Sequence, residues 1–380
     1  MSLSEAAVPA LLTIDLDAIC ANWRLLAARV RPAACAAVVK ANAYGLGAAP
    51  VALALYRAGC REFFVALVDE GVNLRAALPP NALVYVLQGP LPGAEQACLA
   101  HGLVPVLNDL HQIERWRSLA RRTGRVLEAA LQFDTGMARL GLSPQDAMRL
   151  RAQPERLQQL RPCLLLSHLV SAEEPANSVN ARQLNSFIAL RERFPGLRAS
   201  LANSSGIFLG SPFHFNLVRP GAALYGVAPA PGANPMRAVV HLQARLIQCR
   251  EVECGTAVGY NHTWRAARRS RIATLSAGYA DGYLRSLSNH ARVRFQRREV
   301  PQVGRVSMDT ITVDVTELPE SALAPGALFD LLDDEQDINA LAKQAGTNAY
   351  EILVGLGSRY HRRYLGNGGP VVASRATSEA

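Results

Sequence analysis

The sequence predicts an α/β chain: an N-terminal (β/α)8, TIM-like barrel followed by a C-terminal β-rich domain. Three observations carry this expectation. Eight short apolar segments recur between residues 36 and 225, the lengths and spacing of buried parallel strands. Amphipathic, alanine-rich and arginine-rich segments of helical length lie between them. After about Pro235 the helical texture gives way to short strands joined by turns. The expected domains are residues 11–237 and 238–380.

Taken in order, the strand candidates are residues 36–43, 62–68, 82–88, 104–107, 127–133, 163–168, 198–202 and 217–225. Helical periodicity is clearest over residues 51–58, 112–122, 144–152 and 180–193. Eight strand–helix units suit a closed barrel. The alternative is a doubly wound sheet, but no GxGxxG follows the first strand. Pro220, Pro229, Pro231 and Pro235 punctuate the crossover between domains. Beyond it, residues 239–247, 271–276, 291–295, 303–307, 310–315 and 328–332 read as strands, and residues 337–345 as a helix.

Composition narrows the function classes. Of 380 residues, 49% are hydrophobic, enough for two cores. The formal charge is +9, but the basic residues fall in short clusters with acidic residues between them and no interleaved aromatics. That is the pattern of a solvated surface, not of a nucleic-acid groove. Seven cysteines, an odd number without paired spacing, indicate neither a disulfide framework nor a zinc site. A reducing cytoplasm is expected. Residues 1–16 carry acidic residues and no positive n-region, so no secretory signal is expected. No run approaches the length of a membrane span.

In a barrel, chemistry gathers at the C-terminal ends of the strands. Here those ends are unusually polar. The first strand runs into Lys40 and, after Ala41-Asn42-Ala43, Tyr44. A lysine ending a buried strand has its ammonium penalised by desolvation, and a depressed pKa suits Schiff-base chemistry with a carbonyl cofactor. The fifth strand runs into Asp134-Thr135-Gly136-Met137-Ala138-Arg139. The sixth ends in Ser167-His168, the seventh in Asn203-Ser204-Ser205-Gly206, and the eighth holds Arg219-Pro220-Gly221. Backbone N–H groups at Ser204 and Gly221 could cradle a phosphate.

Six motifs in order, VVKANAYGLG, DTGMARLG, ANSSG, VRPGAALYG, AGYADGYLR and VGRVSMD, resemble those of alanine racemases, fold-type III pyridoxal-phosphate enzymes. The resemblance runs from about Leu12 to about Tyr364. It implies pyridoxal 5'-phosphate as cofactor, alanine as substrate and a cytoplasmic homodimer supplying D-alanine to peptidoglycan or consuming it. It implies no nucleic-acid or membrane partner. It also assigns roles. Lys40 would hold the cofactor and act as one base at the substrate Cα. Tyr260, reaching in from the partner subunit, would be the second base on the opposite face. Arg219 would face the pyridine nitrogen, and His168 would link Arg219 to the tyrosine. Tyr44, Ser204, Gly221 and Tyr350 would hold the phosphate. Arg139 would bond the cofactor's phenolic oxygen and the substrate carboxylate. Met308 would offer its backbone N–H to that carboxylate. Tyr279, Tyr283, Arg285 and Arg305 would lie near the entrance.

The chain departs from the family pattern at several positions. Gln132 stands where many relatives carry a carbamylated lysine that orients the arginine. Ser200 and Leu46 stand where some or many have histidine. Asn261 and His262 replace two glycines after the tyrosine. Rivals of other classes are a racemase of the same fold with a wider pocket, a non-enzymatic cofactor carrier, and a nucleic-acid binder.

Overall fold

The computed structural model describes residues 7–366 and 369–372. It divides into two compact units, residues 19–237 and residues 1–18 with 238–380.

The first unit is the barrel. Seven strands form one parallel sheet in chain order: Ala37–Val38, Glu62–Val65, Leu83–Val86, Val104–Leu107, Leu127–Gln132, Leu160–Leu166 and Arg198–Ser200. The eighth strand, Leu217–Val218, pairs in parallel with Ala34–Cys35, the start of the first. Its other side is tied by Asn216 N–H to the Ala199 carbonyl (3.0 Å) and Arg219 N–H to the Ala202 carbonyl (2.9 Å). The barrel therefore closes. Its interior is built from β-branched, aromatic and leucine side chains such as Phe63, Phe64, Val84, Tyr85, Val106 and Leu165, all at most 1% exposed. Near the N-terminal strand ends, Glu62 accepts hydrogen bonds from Arg198 (2.6 Å) and the Tyr85 hydroxyl (3.0 Å), joining three strands.

Two barrel segments differ from the sequence expectation. The first strand ends at Val38 because Ala41, Asn42 and Ala43 take left-handed φ/ψ angles. The eighth lasts two residues, since Pro220 has no N–H to continue a ladder, and Ala222–Tyr225 turns into a 3-10 helix. The helices Ala48–Ala58, Leu110–Thr123, Pro144–Ala152 and Ser178–Arg193 fall where the apolar periodicity puts them.

The second unit is strand-rich. Its centre is Val240–Val252, whose alternating burial marks a sheet with one covered face. Ala10–Asp15, Leu328–Leu332 and Ser270–Leu275 all pair with it antiparallel. By its contacts the segment before residue 19 groups with the second unit. Ala10–Asp15 is fully apolar but for Thr13 and Asp15, and its pairing partners, Val240–Val252 and His361–Gly366, both lie in the second unit. Residues 303–307 form no strand; Arg298–Pro301 does instead. The expected domain end, 373–380, lies outside the described residues. No described helix is long and apolar enough to cross a membrane. All seven cysteines are free.

Candidate active site

Lys40 opens an unusual turn. Ala41, Asn42, Ala43 and Tyr44 all have φ between 50° and 54°. Left-handed backbone costs a non-glycine residue about 1–2 kcal/mol, so four in succession need strong support. Support comes from both ends. Ala43 N–H reaches the Val39 carbonyl (2.9 Å), Gly47 N–H reaches the Asn42 carbonyl (2.8 Å), and the Asn42 side chain accepts Ala48 N–H (2.8 Å). Ala41 N–H is taken by the Glu70 carboxylate (2.7 Å). Burial lowers the Lys40 pKa, the Arg139 cation lowers it further, and the Glu70 charge opposes both.

Arg219 follows the eighth strand directly and is 4% exposed. Its Nη1 donates to Ser200 Oγ (2.5 Å) and its Nη2 to the Ser167 carbonyl (2.6 Å). Ser200 in turn donates to the Leu217 carbonyl (2.6 Å). Burial alone draws the Arg219 pKa down to about 10, and among the described residues no carboxylate balances the charge. A buried cation of this kind is costly and calls for an electron-rich partner. Replacing Ser200 by alanine would strand one buried donor. The expected result is a loss of about 1–3 kcal/mol in urea unfolding; an unchanged midpoint would mean the hydroxyl does not hold Arg219.

His168 lies just past the sixth strand. Desolvation, then the cations of Arg219, Arg139 and Lys40, bring its pKa down to about 3, so the imidazole is neutral at physiological pH. The structure brings these four residues of the barrel mouth together. The carbonyl of Ser167, the residue before His168, takes the Arg219 guanidinium.

The next constellation suits an anion. Ser204 Oγ accepts the N–H groups of Gly221 (3.0 Å) and Ala223 (3.2 Å), which leaves its own hydrogen to donate. Gly221 must be glycine: a Cβ there would sit 2.4 Å from the Tyr44 hydroxyl. Tyr44 is steadied by Tyr225, ring centroids 4.9 Å apart, whose hydroxyl donates to the Val38 carbonyl. Three of the expected phosphate ligands therefore adjoin one another. The fourth, Tyr350, lies in the first turn of Ala349–Gly355 in the second unit.

Arg139 is exposed on the loop after the fifth strand. That loop is shaped by Asp134, whose carboxylate accepts N–H groups of Gly136, Met137 and Ala138. Burial acts to raise the Asp134 pKa, but these three donors outweigh it and hold it below the usual range. Sequence reasoning missed three residues here. Thr135 bonds Ser167 Oγ (2.7 Å), and buried Gln183 bonds both Thr135 and the His168 carbonyl. The third is Glu70; its only sequence signal is an acidic residue in the first turn after a barrel strand.

In the second unit, Tyr260 sits on a two-strand ribbon, Ala257–Val258 with Trp264–Arg265. Asn261 and His262 have φ of 58° and 50°, so both adopt the backbone for which glycine is the usual choice. Gly259 lies against Arg305: a Cβ there would be 3.2 Å from the Arg305 nitrogen. Tyr279 and Met308 are neighbours through Tyr279 N–H to the Ser307 carbonyl and Ala280 N–H to the Met308 carbonyl, 3.0 Å each. Arg359 clamps Asp281 (2.6 Å) to Asp309 (2.6 Å) beside them. Tyr260, Tyr279 and Met308 are 65%, 43% and 54% exposed. Arg285 is exposed too, whereas Tyr283 is buried.

Residues 14–229 match the family profile of the alanine racemase N-terminal domain, and residues 239–364 that of the alanine racemase C-terminal domain. The chain belongs to the alanine racemase family. It is 52% identical over 364 residues to alanine racemase of Rhodospirillum rubrum, covering 95% of this chain and 97% of that one. It is 48% identical over 375 residues to alanine racemase of Brucella abortus, with 95% of each chain covered. The crystal structure of alanine racemase from Bartonella henselae with covalently bound pyridoxal phosphate superimposes with a TM-score of 0.90 at 42% identity, over 94% of this chain and 100% of that one. The alanine racemase family thus accounts for both units, and the barrel with its strand-rich companion is the family's fold.

Proposed function

We propose that the protein is a pyridoxal 5'-phosphate-dependent racemase that interconverts L- and D-alanine, acting as a cytoplasmic homodimer. The observation that carries this is the cationic cluster at the barrel mouth, where Lys40, Arg139 and buried Arg219 all act on His168. The Bartonella relative holds its cofactor covalently. This sequence has only two lysines, Lys40 and exposed Lys343.

Bound at the mouth, pyridoxal phosphate supplies an electron sink for the pair of electrons left when the substrate Cα loses its proton. The chain's own residues do the rest. Lys40 holds the cofactor and carries a proton at one face of Cα; burial and the Arg139 cation lower its pKa, the direction that favours the amine. Tyr260 of the partner subunit carries a proton at the other face. Two bases are required because racemisation removes a proton on one side and returns it on the other. Arg219 donates toward the ring nitrogen and, being unable to give up its proton, leaves that nitrogen unprotonated. This favours return of the proton at Cα over side chemistry. His168, neutral, adds no charge beside Arg219. Tyr44, Ser204, Gly221 and Tyr350 hold the phosphate. Arg139 binds the phenolic oxygen and the substrate carboxylate, which also meets the Met308 N–H of the partner subunit. Tyr279, Arg285 and Arg305 line the approach. The exposure of Tyr260, Tyr279 and Met308 supports a partner that covers them.

Chiral chromatography of alanine incubated with the purified protein tests the reading, with serine and basic amino acids alongside. Either alanine enantiomer should run to an equal mixture and faster than the others. Preference for serine or a basic amino acid would overturn the substrate, and no racemisation would overturn the reaction.

Gln132, 8% exposed at the end of the fifth strand, is an amide and cannot be carbamylated. Activity should therefore be the same in CO2-depleted and bicarbonate-supplemented buffer. Loss on depletion with recovery on bicarbonate would contradict the placement of Gln132.

A further inference from the structure

We propose that Glu70 is a positioning residue for Lys40: its carboxylate pins the left-handed turn that aims the lysine. The proposal rests on the reading of Lys40 as the residue that holds the cofactor.

Glu70 lies in the first turn of the helix Val68–Arg75, after the second barrel strand. Its Oε2 accepts Ala66 N–H (2.7 Å) and Leu67 N–H (3.2 Å), which closes the N-terminus of its own helix. A helix needs no more from a residue at that position. Yet Oε1 reaches across to Ala41 N–H at 2.7 Å, in the loop after the first strand. One carboxylate thus ties the loops after two strands together, and it does so at the residue next to Lys40.

Ala41 is the first residue of the left-handed run, so its N–H points away from any regular ladder. The far end of the run is fixed separately by Asn42 on Ala48 N–H. With Glu70 removed, the near end would keep the Ala43 N–H bond to Val39 and the Gly45 N–H bond to the Ala41 carbonyl but lose the one bond that ties it to a neighbouring loop, and four strained residues could relax. Lys40 would lose its aim while the helix and barrel stayed folded. The charge also matters. Lys40 faces the Arg139 cation from the loop after the fifth strand, neutral His168 from the end of the sixth, and the Glu70 anion. Among the described residues Glu70 is the anion acting on it, so it moderates the depression of the amine.

The two lysines make a direct test possible, because exposed Lys343 is an internal reference. Borohydride treatment of the wild-type holoenzyme comes first. An adduct on Lys40 supports the underlying reading; an adduct on Lys343 would overturn that reading and this proposal with it. The full chain is then stripped of cofactor with hydroxylamine and acylated over a pH series, and Lys40 labelling is measured against Lys343 by mass spectrometry. Re-addition of pyridoxal phosphate gives the rate of cofactor capture. Glu70→Gln keeps the shape and loses the charge. Its Lys40 midpoint should fall below that of wild type, since burial and Arg139 then act unopposed. Glu70→Asp keeps the charge but is too short to span both loops. Its midpoint should stay near wild type while cofactor capture slows by roughly tenfold to a hundredfold. Melting curves show whether each variant is folded. Capture rates and midpoints that match wild type in both folded variants would overturn the proposal and leave Glu70 as the cap of its own helix.

Discussion

Lys40→Ala is expected to abolish racemisation in both directions. Loss of a positioned base alone costs about 10²–10⁴ in rate. On the proposed reading the same change also removes the covalent anchor of the cofactor, so the fall should be at least ~10⁴. Borohydride should leave no adduct on the variant, because the remaining lysine, Lys343, lies on the exposed face of Ile338–Ala345. The fold should survive. Lys40 sits partly buried against the Arg139 cation, and its removal relieves a desolvation cost. A variant that melts like wild type and still racemises alanine within about tenfold of the wild-type rate would sink the assignment.

Tyr260→Phe is expected to lower racemisation by about 10²–10⁴ with almost no effect on stability. The side chain is 65% exposed, and exposed substitutions stay within about 0.5 kcal/mol. The loss should be one-sided. Family resemblance gives Lys40 to D-alanine and Tyr260 to L-alanine. In deuterated water the variant should keep Cα exchange from D-alanine and lose it from L-alanine. Equal loss from both enantiomers would contradict separate bases.

How legible each part was follows from the kind of signal it leaves. The barrel could be read because its strands are buried on both faces and run as unbroken apolar stretches, as in Val104–Leu107 and Leu127–Gln132. The polar residues just past them, Lys40, His168 and Arg219, stood out against that background. Ala10–Asp15 could not be assigned to its unit, because its pairing partners lie more than 220 residues away in sequence and pairing leaves no local trace. The left-handed turn was equally hidden. Ala41, Asn42 and Ala43 carry no glycine, and the bonds that support their backbone, from the Glu70 and Asn42 side chains and from nearby peptide groups, leave no trace in the sequence. Glu70, Thr135 and Gln183 act through contacts between loops of different strands, and a helical carboxylate or amide reads as solvated surface in sequence. The Arg219 partners show the limit of resemblance: Ser200 was visible as a departure, but its bond to the guanidinium required coordinates.

The central claim is that each active site is assembled from two subunits, Lys40 from one and Tyr260 from the other. Subunit complementation tests it most directly. Lys40→Ala and Tyr260→Phe chains, each nearly inactive, are unfolded, mixed in equal amounts and refolded together. In a two-fold symmetric heterodimer one site lacks both bases and the other is intact. Random reassociation makes about half of the dimers mixed, so about a quarter of all sites regain both bases. Differential tags verify that mixed dimers have formed. Recovery near a quarter of wild-type activity is the result this account predicts. No recovery from verified heterodimers would show that each site is built within a single chain.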